Sequence, residues 1–303
     1  MFYFKSIKEL LKKDEQWFID YLEAIIWNGN PVSPFVPNAK VYESKTRKNT
    51  YICGETKKYF TIKTKSIFER SKVKLSDFFY AGYMMFVNKK GISSLQLAED
   101  LGVQYKTAWF IEKRLRKVAE DPLFKVLFKD FAEFEADETF IGGKSKNRHK
   151  DKKIPNSQGR SVKDKSVIAG AIDKETGTLI AEKVPDTTQA TLEAFIRDNV
   201  KEGSGIYTDK HHGYNNLWKW YKHKAEKYVR GKASTNRIES AWAPFKRSYN
   251  IHHWVSERHL SRYVFQWTFR HNIRNYSKQE KLKLLMSLTM GKRLTYKDLI
   301  RGH

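Results

Sequence analysis

From residue 131 onward, the spacing of apolar positions along the chain changes several times, and each change marks an element. In FAEFEADETFI, Phe131 to Ile141, apolar and acidic residues alternate with period two, which predicts a strand. SVIAGAID (Ser166–Asp173) and TLIAEKVP (Thr178–Pro185) are short apolar runs split by Lys174-Glu175-Thr176-Gly177, so they predict a hairpin. ATLEAFIRDNV (Ala190–Val200) has the spacing of an amphipathic helix, with Thr187 or Thr188 available as its cap. GIYTDK predicts a strand ending at Asp209, GYNNLWKWY a short helix, and KAEKYV a further strand. From Thr235 a long helix is expected, with Ile238, Trp242, Phe245 and Tyr249 on one apolar stripe.

The order is β-β-β-α-β-α-β-α, a three-stranded meander followed by alternating helices and parallel strands. That is the order of an RNase H-like α/β domain with a mixed sheet, expected over residues 131–275, with 276–303 left as a tail. The N-terminal part predicts mostly helix. Ile7, Leu10 and Leu11, then Trp17, Phe18, Tyr21, Leu22, Ile25 and Ile26 recur at helical spacing, and Asn28-Gly29-Asn30-Pro31 closes the run. TYICGETKKYFTIKTKSIFERS predicts a hairpin, completing a first module over 1–72. Residues 73–122 read as helical, and GISSLQLAEDLGVQYKTAWFIEKRLRKVAE as two helices about Gly102 with the apolar spacing of a helix-turn-helix. In that reading Gln104, Tyr105, Lys106 and Thr107 open the second helix and face a DNA groove, although an ordinary helical hairpin has the same spacing. Pro122 to Asp130 is the expected bridge.

Charge narrows the partner. The 303 residues carry 58 Lys and Arg against 34 Asp and Glu, a formal net charge of +24. Such an excess repels itself in a compact chain, and a polyanion relieves it. Basic residues interleaved with Tyr, Trp and Phe favour nucleic acid over membrane. The basic stretch KSKNRHKDKKIPNSQGRSVKDK, with Lys144, Lys146 and Arg148, is expected as a loop near a phosphate backbone. One cysteine, Cys53, excludes an internal disulfide. No apolar run approaches the ~18 residues of a membrane span, and the N-terminus lacks a signal-peptide core, so a soluble cytoplasmic protein is expected.

Three carboxylates fall where that fold would gather them: Asp137 in mid-strand, Asp209 just past a strand, and Glu239 at the start of the long helix. A carboxylate in mid-strand is costly without a partner, and taken alone each of these acids also suits a solvated face. Together they suit a two-metal phosphoryl-transfer site, in which Mg²⁺ or Mn²⁺ ions clamp the attacking and leaving oxygens. Hard cations of this kind need only oxygen ligands. Asp137 would bridge two ions, and Asp209 and Glu239 would each complete one. Lys246 lies two helical turns from Glu239 on one stripe, as a phosphate contact would.

The segments ADETFIGGK, VPDTTQATLEAFIRDNVKEGSGIYTD, YVRGKASTNRIESAWAPFKR and HLSRYVFQWTFRHNIR resemble the DDE transposases of bacterial insertion sequences. They resemble the branch whose catalytic domain follows a zinc ribbon and a helix-turn-helix. KTKSIFERSKVKLSDFF and GISSLQLAEDLGVQYKTAW extend the resemblance over nearly the whole chain. It implies Asp137, Asp209 and Glu239 as catalytic and metal-binding residues, with Asn236 an alternative in the third place, and Lys246 as the basic residue after the third acid. It implies double-stranded DNA as partner, both terminal inverted repeats and target, and a homodimer or higher oligomer on that DNA.

Two departures stand out. The family's paired zinc cysteines fall here at Ser33-Pro34-Phe35-Val36 and Cys53-Gly54-Glu55-Thr56, so one thiol of four remains and no zinc is expected. Gln266 stands where an acid is expected. The function implied is metal-dependent strand cleavage and 3′-hydroxyl strand transfer. The alternatives are a transposase-derived DNA-binding protein without activity, and an RNase H-like nuclease.

Overall fold

A computed structural model describes residues 3–123, 131–142, 149–153, 165–225, 235–252 and 255–301. The chain divides into two compact units, one of residues 1–121 with 275–303, the other of residues 122–274. Lys144, Lys146 and Arg148 lie outside the described residues.

In the first unit the expected N-terminal helix is two, α1 (Ile7–Leu10) and α2 (Glu15–Trp27). Asp14 causes the break, because its carboxylate caps α2 by accepting from the Trp17 N–H at 2.9 Å. Asn28 ends α2 in the left-handed conformation at φ 48°. The expected hairpin gains a third strand, giving an antiparallel sheet β1 (Val41–Glu43), β2 (Tyr51–Cys53) and β3 (Tyr59–Phe60). Its small core is aromatic: Trp27 meets Tyr51 and Phe60 edge-on, and Phe35 meets Phe60. No packing gap follows at residues 72 and 73, since Phe18 of α2 lies 4.8 Å from Phe79 of α3 (Leu75–Gly82).

Next come α4 (Ser94–Leu101) and α5 (Tyr105–Ala119), joined through Gly102 at φ 62°. The Gly102 and Val103 N–H groups satisfy the last carbonyls of α4, closing the helix as the apolar spacing predicted. Leu97, Ala98, Ala108 and Ile111 are buried between neighbours. A fully buried Glu112 accepts from Ser94 Oγ at 2.6 Å and from Arg116 at 3.1 Å, locking α4 to α5.

The second unit is a five-stranded mixed sheet with helices on both faces, consistent with the RNase H-like order. Its elements are β4 (Glu133–Ile141), β5 (Ser166–Asp173), β6 (Leu179–Val184), α6 (Gln189–Asn199), β7 (Gly205–Thr208), β8 (Lys222–Ala225), α7 (Asn236–Asn250) and α8 (Glu257–Asn272). The strand order is β6-β5-β4-β7-β8, with β4 central. β4, β5 and β6 run antiparallel to their neighbours in the meander, whereas β7 and β8 lie parallel to β4. Even-numbered β4 positions Phe134 and Ala136 pack with α6, while Ile141 packs with α7 and α8. The short helix expected in GYNNLWKWY is a pair of 3₁₀ turns, His212–Tyr214 and Leu217–Lys219, and β8 begins two residues earlier than expected.

After Asn275 the chain returns to the first unit. Residues expected as a tail form α9 (Lys278–Ser287) and α10 (Tyr296–Arg301). α9 starts with a capping box between Ser277 and Glu280, and buries Leu282, Leu285 and Met286 against α2 and α3. Gly82 permits the approach, since a Cβ there would stand 2.8 Å from Met286 Cε.

Candidate active site

Asp137 sits in the middle of β4, with Gly170 of β5 directly opposite. Its side chain is half-buried, and Trp242 Nε1 donates to Asp137 Oδ2 at 3.0 Å. The indole can lie on the sheet because residue 170 has no side chain: a Cβ there would be 2.6 Å from Trp242 Cη2. Burial, and then the negative charge of Glu138 and of Asp209, push the Asp137 carboxyl up to about 7, with the Trp242 hydrogen bond opposing.

Asp209 reaches the same place by strand pairing. β7 runs parallel to β4 with Glu135 opposite Tyr207, so Asp209, two residues on, comes alongside Asp137. Its Oδ1 accepts from the His211 N–H at 3.0 Å, which shapes the turn after the strand. Thr208, buried beside it, donates to the Asp209 carbonyl and meets His223 Nε2 at 2.9 Å.

Glu239 lies in the first turn of α7, and that turn is fixed to β4 by a residue that periodicity passed over. Glu135, buried and two positions before Asp137 on the same strand face, accepts through Oε2 from the N–H groups of Arg237 (2.7 Å) and Ile238 (3.2 Å). These are orphan donors of the helix N-terminus, so Glu135 caps α7 from the sheet face on which the helix lies. Lys174 Nζ, 3.8 Å from Glu135 Oε1, balances the charge. The Glu239 side chain is exposed and its Oε1 accepts from Thr235 Oγ1 at 2.8 Å. Lys246 is exposed two turns along. Asn236 lines a cleft with Arg237 and Ser240. Gln266 is buried on α8.

The structure therefore brings Asp137 and Asp209 together and leaves the Glu239 carboxylate turned toward Thr235. Among the described residues, no group of three His, Cys, Asp or Glu stands close enough to hold a metal ion. The Asp137 carboxyl, its proton held up by burial and then by nearby negative charge, is the kind of group a hard divalent cation relieves. On the far face of β4, Tyr214 donates to Glu138 Oε2 at 3.1 Å. Neither Trp242, Glu135 nor Tyr214 was singled out by the sequence for the site. An indole in an apolar stripe is indistinguishable there from a core residue.

In the first unit, the positions matching the family's zinc cysteines do converge. The Cys53 thiol is buried and hydrogen-bonded to the hydroxyls of Ser33 and Thr56, which hold its pKa below the usual thiol range. Ser33 Oγ also accepts from the Phe35 and Val36 N–H groups. At the start of α5, Gln104, Tyr105 and Lys106 are exposed and Thr107 half-buried.

Residues 132–272 match the ISXO2-like transposase domain family. The chain is also 23% identical over 253 residues to an uncharacterized protein in transposable element ISH50 of Halobacterium salinarum, a match covering 79% of this chain and 84% of that protein. That second match is longer than the domain and so reaches into the rest of the chain. The chain is thus similar over residues 132–272 to the ISXO2-like transposase domain family, and over most of its length to a protein of a transposable element.

Proposed function

We propose that this protein is a DNA transposase that binds the ends of an insertion sequence, cleaves them and joins the 3′-hydroxyl to target DNA. The observation that carries the reading is the juxtaposition of Asp137 on β4 and Asp209 just past the parallel neighbouring strand β7, beside a helix that starts three residues before Glu239 and is capped by Glu135. Asp137, Asp209 and Glu239 would hold two Mg²⁺ or Mn²⁺ ions, which supply charge neutralisation at the attacking and leaving oxygens. Glu239 would have to rotate away from Thr235 to join the set. Asp137 must release its proton to serve, and Trp242 Nε1–H steadies its Oδ2 while it does. Lys246 neutralises a phosphate of the scissile strand.

End recognition is assigned to Gln104, Lys106 and Thr107 at the start of α5, and backbone contact to Lys144, Lys146 and Arg148. The protein would act on cytoplasmic DNA as a homodimer or higher oligomer. No described helix is long and apolar enough to cross a membrane.

A second reading, a DNA-binding derivative without activity, is favoured by the orientation of Glu239 and the replaced ribbon thiols. An end-cleavage and strand-joining assay with Mg²⁺ or Mn²⁺ separates the two. Cutting and joining by the wild type is expected. Asp137→Asn, Asp209→Asn and Glu239→Gln should each abolish both while keeping duplex affinity, since affinity comes from Lys and Arg on phosphates. Asn236→Ala should do less. Binding without cutting by the wild type selects the second reading, and wild-type cutting by any of the three variants removes that residue from the site.

A further inference from the structure

On the side of α7 turned away from Trp242, a cleft of about 460 Å³ is lined by Asn236, Arg237, Ser240, His271 and Arg274 over an apolar floor that includes Ile172. We propose that this cleft is a phosphate-binding site, separate from the carboxylates, that grips one phosphate of the DNA backbone. It goes beyond the catalytic reading and rests on the proposed function only for DNA as the source of the phosphate.

Two guanidiniums, one on α7 and one just past the end of α8, line the cleft. Arg274, two residues past α8, reaches back across the β5–β6 turn and donates to the Gly177 and His271 carbonyls at 3.1 and 2.9 Å. Those bonds fix its planar group at the cleft wall. Arg237, exposed on the first turn of α7, is close enough to lower the Arg274 pKa by like-charge repulsion, after burial. Among the described residues, Arg237 forms no ion pair with a carboxylate. An anion beside the two relieves the repulsion, and the exposed planar fork of Arg237 matches phosphate oxygens bidentately.

Of the other lining groups, Asn236 and Ser240 suit the same ligand, while His271 serves the wall. His271 is held neutral, its pKa lowered to about 4 by burial and then by Arg274, so the two arginines supply the positive charge. Its Nε2 lies 3.1 Å from the Gly177 carbonyl and can only donate to it. Asn236 and Ser240 add uncharged donors at helical spacing on the exposed side of α7. Glu135 already takes the N–H groups of Arg237 and Ile238, so the site is built from side chains rather than from the helix terminus. A backbone phosphate is the occupant that the +24 charge and the transposase domain favour.

The test uses the full chain and does not read cleavage, so an inactive enzyme leaves it interpretable. Binding of a fluorescein-labelled duplex of arbitrary sequence is measured over a salt series for wild type, Arg237→Ala, Arg237→Lys and, as a control elsewhere on the surface, Arg258→Ala. In parallel, the thermal unfolding midpoint of each is followed with inorganic phosphate. We expect Arg237→Ala to bind several-fold more weakly, with its salt slope reduced by about one unit, and Arg237→Lys to recover most of the slope. Arg258→Ala should stay near wild type. Unchanged duplex binding, with inorganic phosphate raising the midpoint of the wild type and not of Arg237→Ala, keeps the phosphate site but assigns it to a free phosphate-bearing ligand. Arg237→Ala indistinguishable from wild type in both measurements, or Arg258→Ala equally impaired, overturns the proposal.

Discussion

Trp242 donates its indole N–H to Asp137 Oδ2 at 3.0 Å while its ring rests on Gly170, the residue facing Asp137 across β4 and β5. One helix side chain thus orients the central carboxylate and seals the sheet beneath it. Trp242→Phe keeps most of the packing and removes the donor. It should destabilise the protein by about 1–2 kcal/mol in urea titrations, and raise the Asp137 pKa further, because the lost bond is the larger of the two that lower it. Gly170→Ala should cost about 1–3 kcal/mol through overpacking against the indole. If Gly170→Ala is neutral, the ring does not lie where we place it.

Glu135 predicts a different phenotype. Its Oε2 accepts two α7 N–H groups with the charge that a helix N-terminus favours. Glu135→Gln keeps an acceptor but loses that charge, and Glu135→Ala loses both. Stability should fall in that order, with Glu135→Ala down by about 2–3 kcal/mol. Duplex binding should persist, while any cleavage should drop in parallel with the disorder of α7. Hydrogen exchange at the Arg237 and Ile238 amides is the direct measurement, and unchanged protection in Glu135→Ala would reject the cap.

For end recognition, the exposed start of α5 is the place to look. Gln104→Ala and Lys106→Ala should reduce preference for terminal over scrambled duplexes, by about 1–3 kcal/mol where a bidentate base contact is lost. Lys144→Ala, Lys146→Ala and Arg148→Ala should instead weaken binding to every sequence alike. Competition binding at several salt concentrations measures both. Unchanged discrimination in the α5 variants would move recognition to another part of the first unit.

The ribbon-like module should hold together without metal. Ser33, Cys53 and Thr56 already satisfy one another by hydrogen bonds, and Trp27, Phe35, Tyr51 and Phe60 supply its core. Purified protein is expected to carry no stoichiometric zinc and to keep its far-ultraviolet circular dichroism in strong chelator. One tightly bound zinc per chain would overturn this.

Stability should also fall in mild acid because of His271, held at about 4 in the fold against its usual 6.5. Above pH 6.5 the ring is neutral in both folded and unfolded chains, so the contribution is fully present. As pH drops from 6.5 toward 4 only the unfolded chain takes the proton, and stability declines by about 1.4 kcal/mol per unit, up to about 3 in all. His271→Gln should flatten that part of the curve in urea titrations at several pH values. A slope unchanged by the substitution would mean that the ring titrates freely.

Much of this architecture is local information. Period-two alternation in Phe131–Ile141 and three-to-four spacing from Ile238 to Tyr249 follow from which face each element buries. The sequence by itself therefore determined the order of the elements along the chain, whereas the parallel pairing of β7 with β4 that brings Asp209 toward Asp137 belongs to the folded sheet. The sequence also determined the excess of positive charge. Where polar positions dilute the pattern it was silent or misleading: 276–303 read as a tail, although Leu282, Leu285 and Met286 find a core on α2 and α3. Only the tertiary structure decided that Glu135 caps a helix about a hundred residues away, that Gly170 makes room for Trp242, and that Arg237 and Arg274 line one cleft. Each is a pairing between residues far apart in the chain. Periodicity reports that a side chain is buried or exposed, whereas the partner it meets is set by how sheet and helices pack in space.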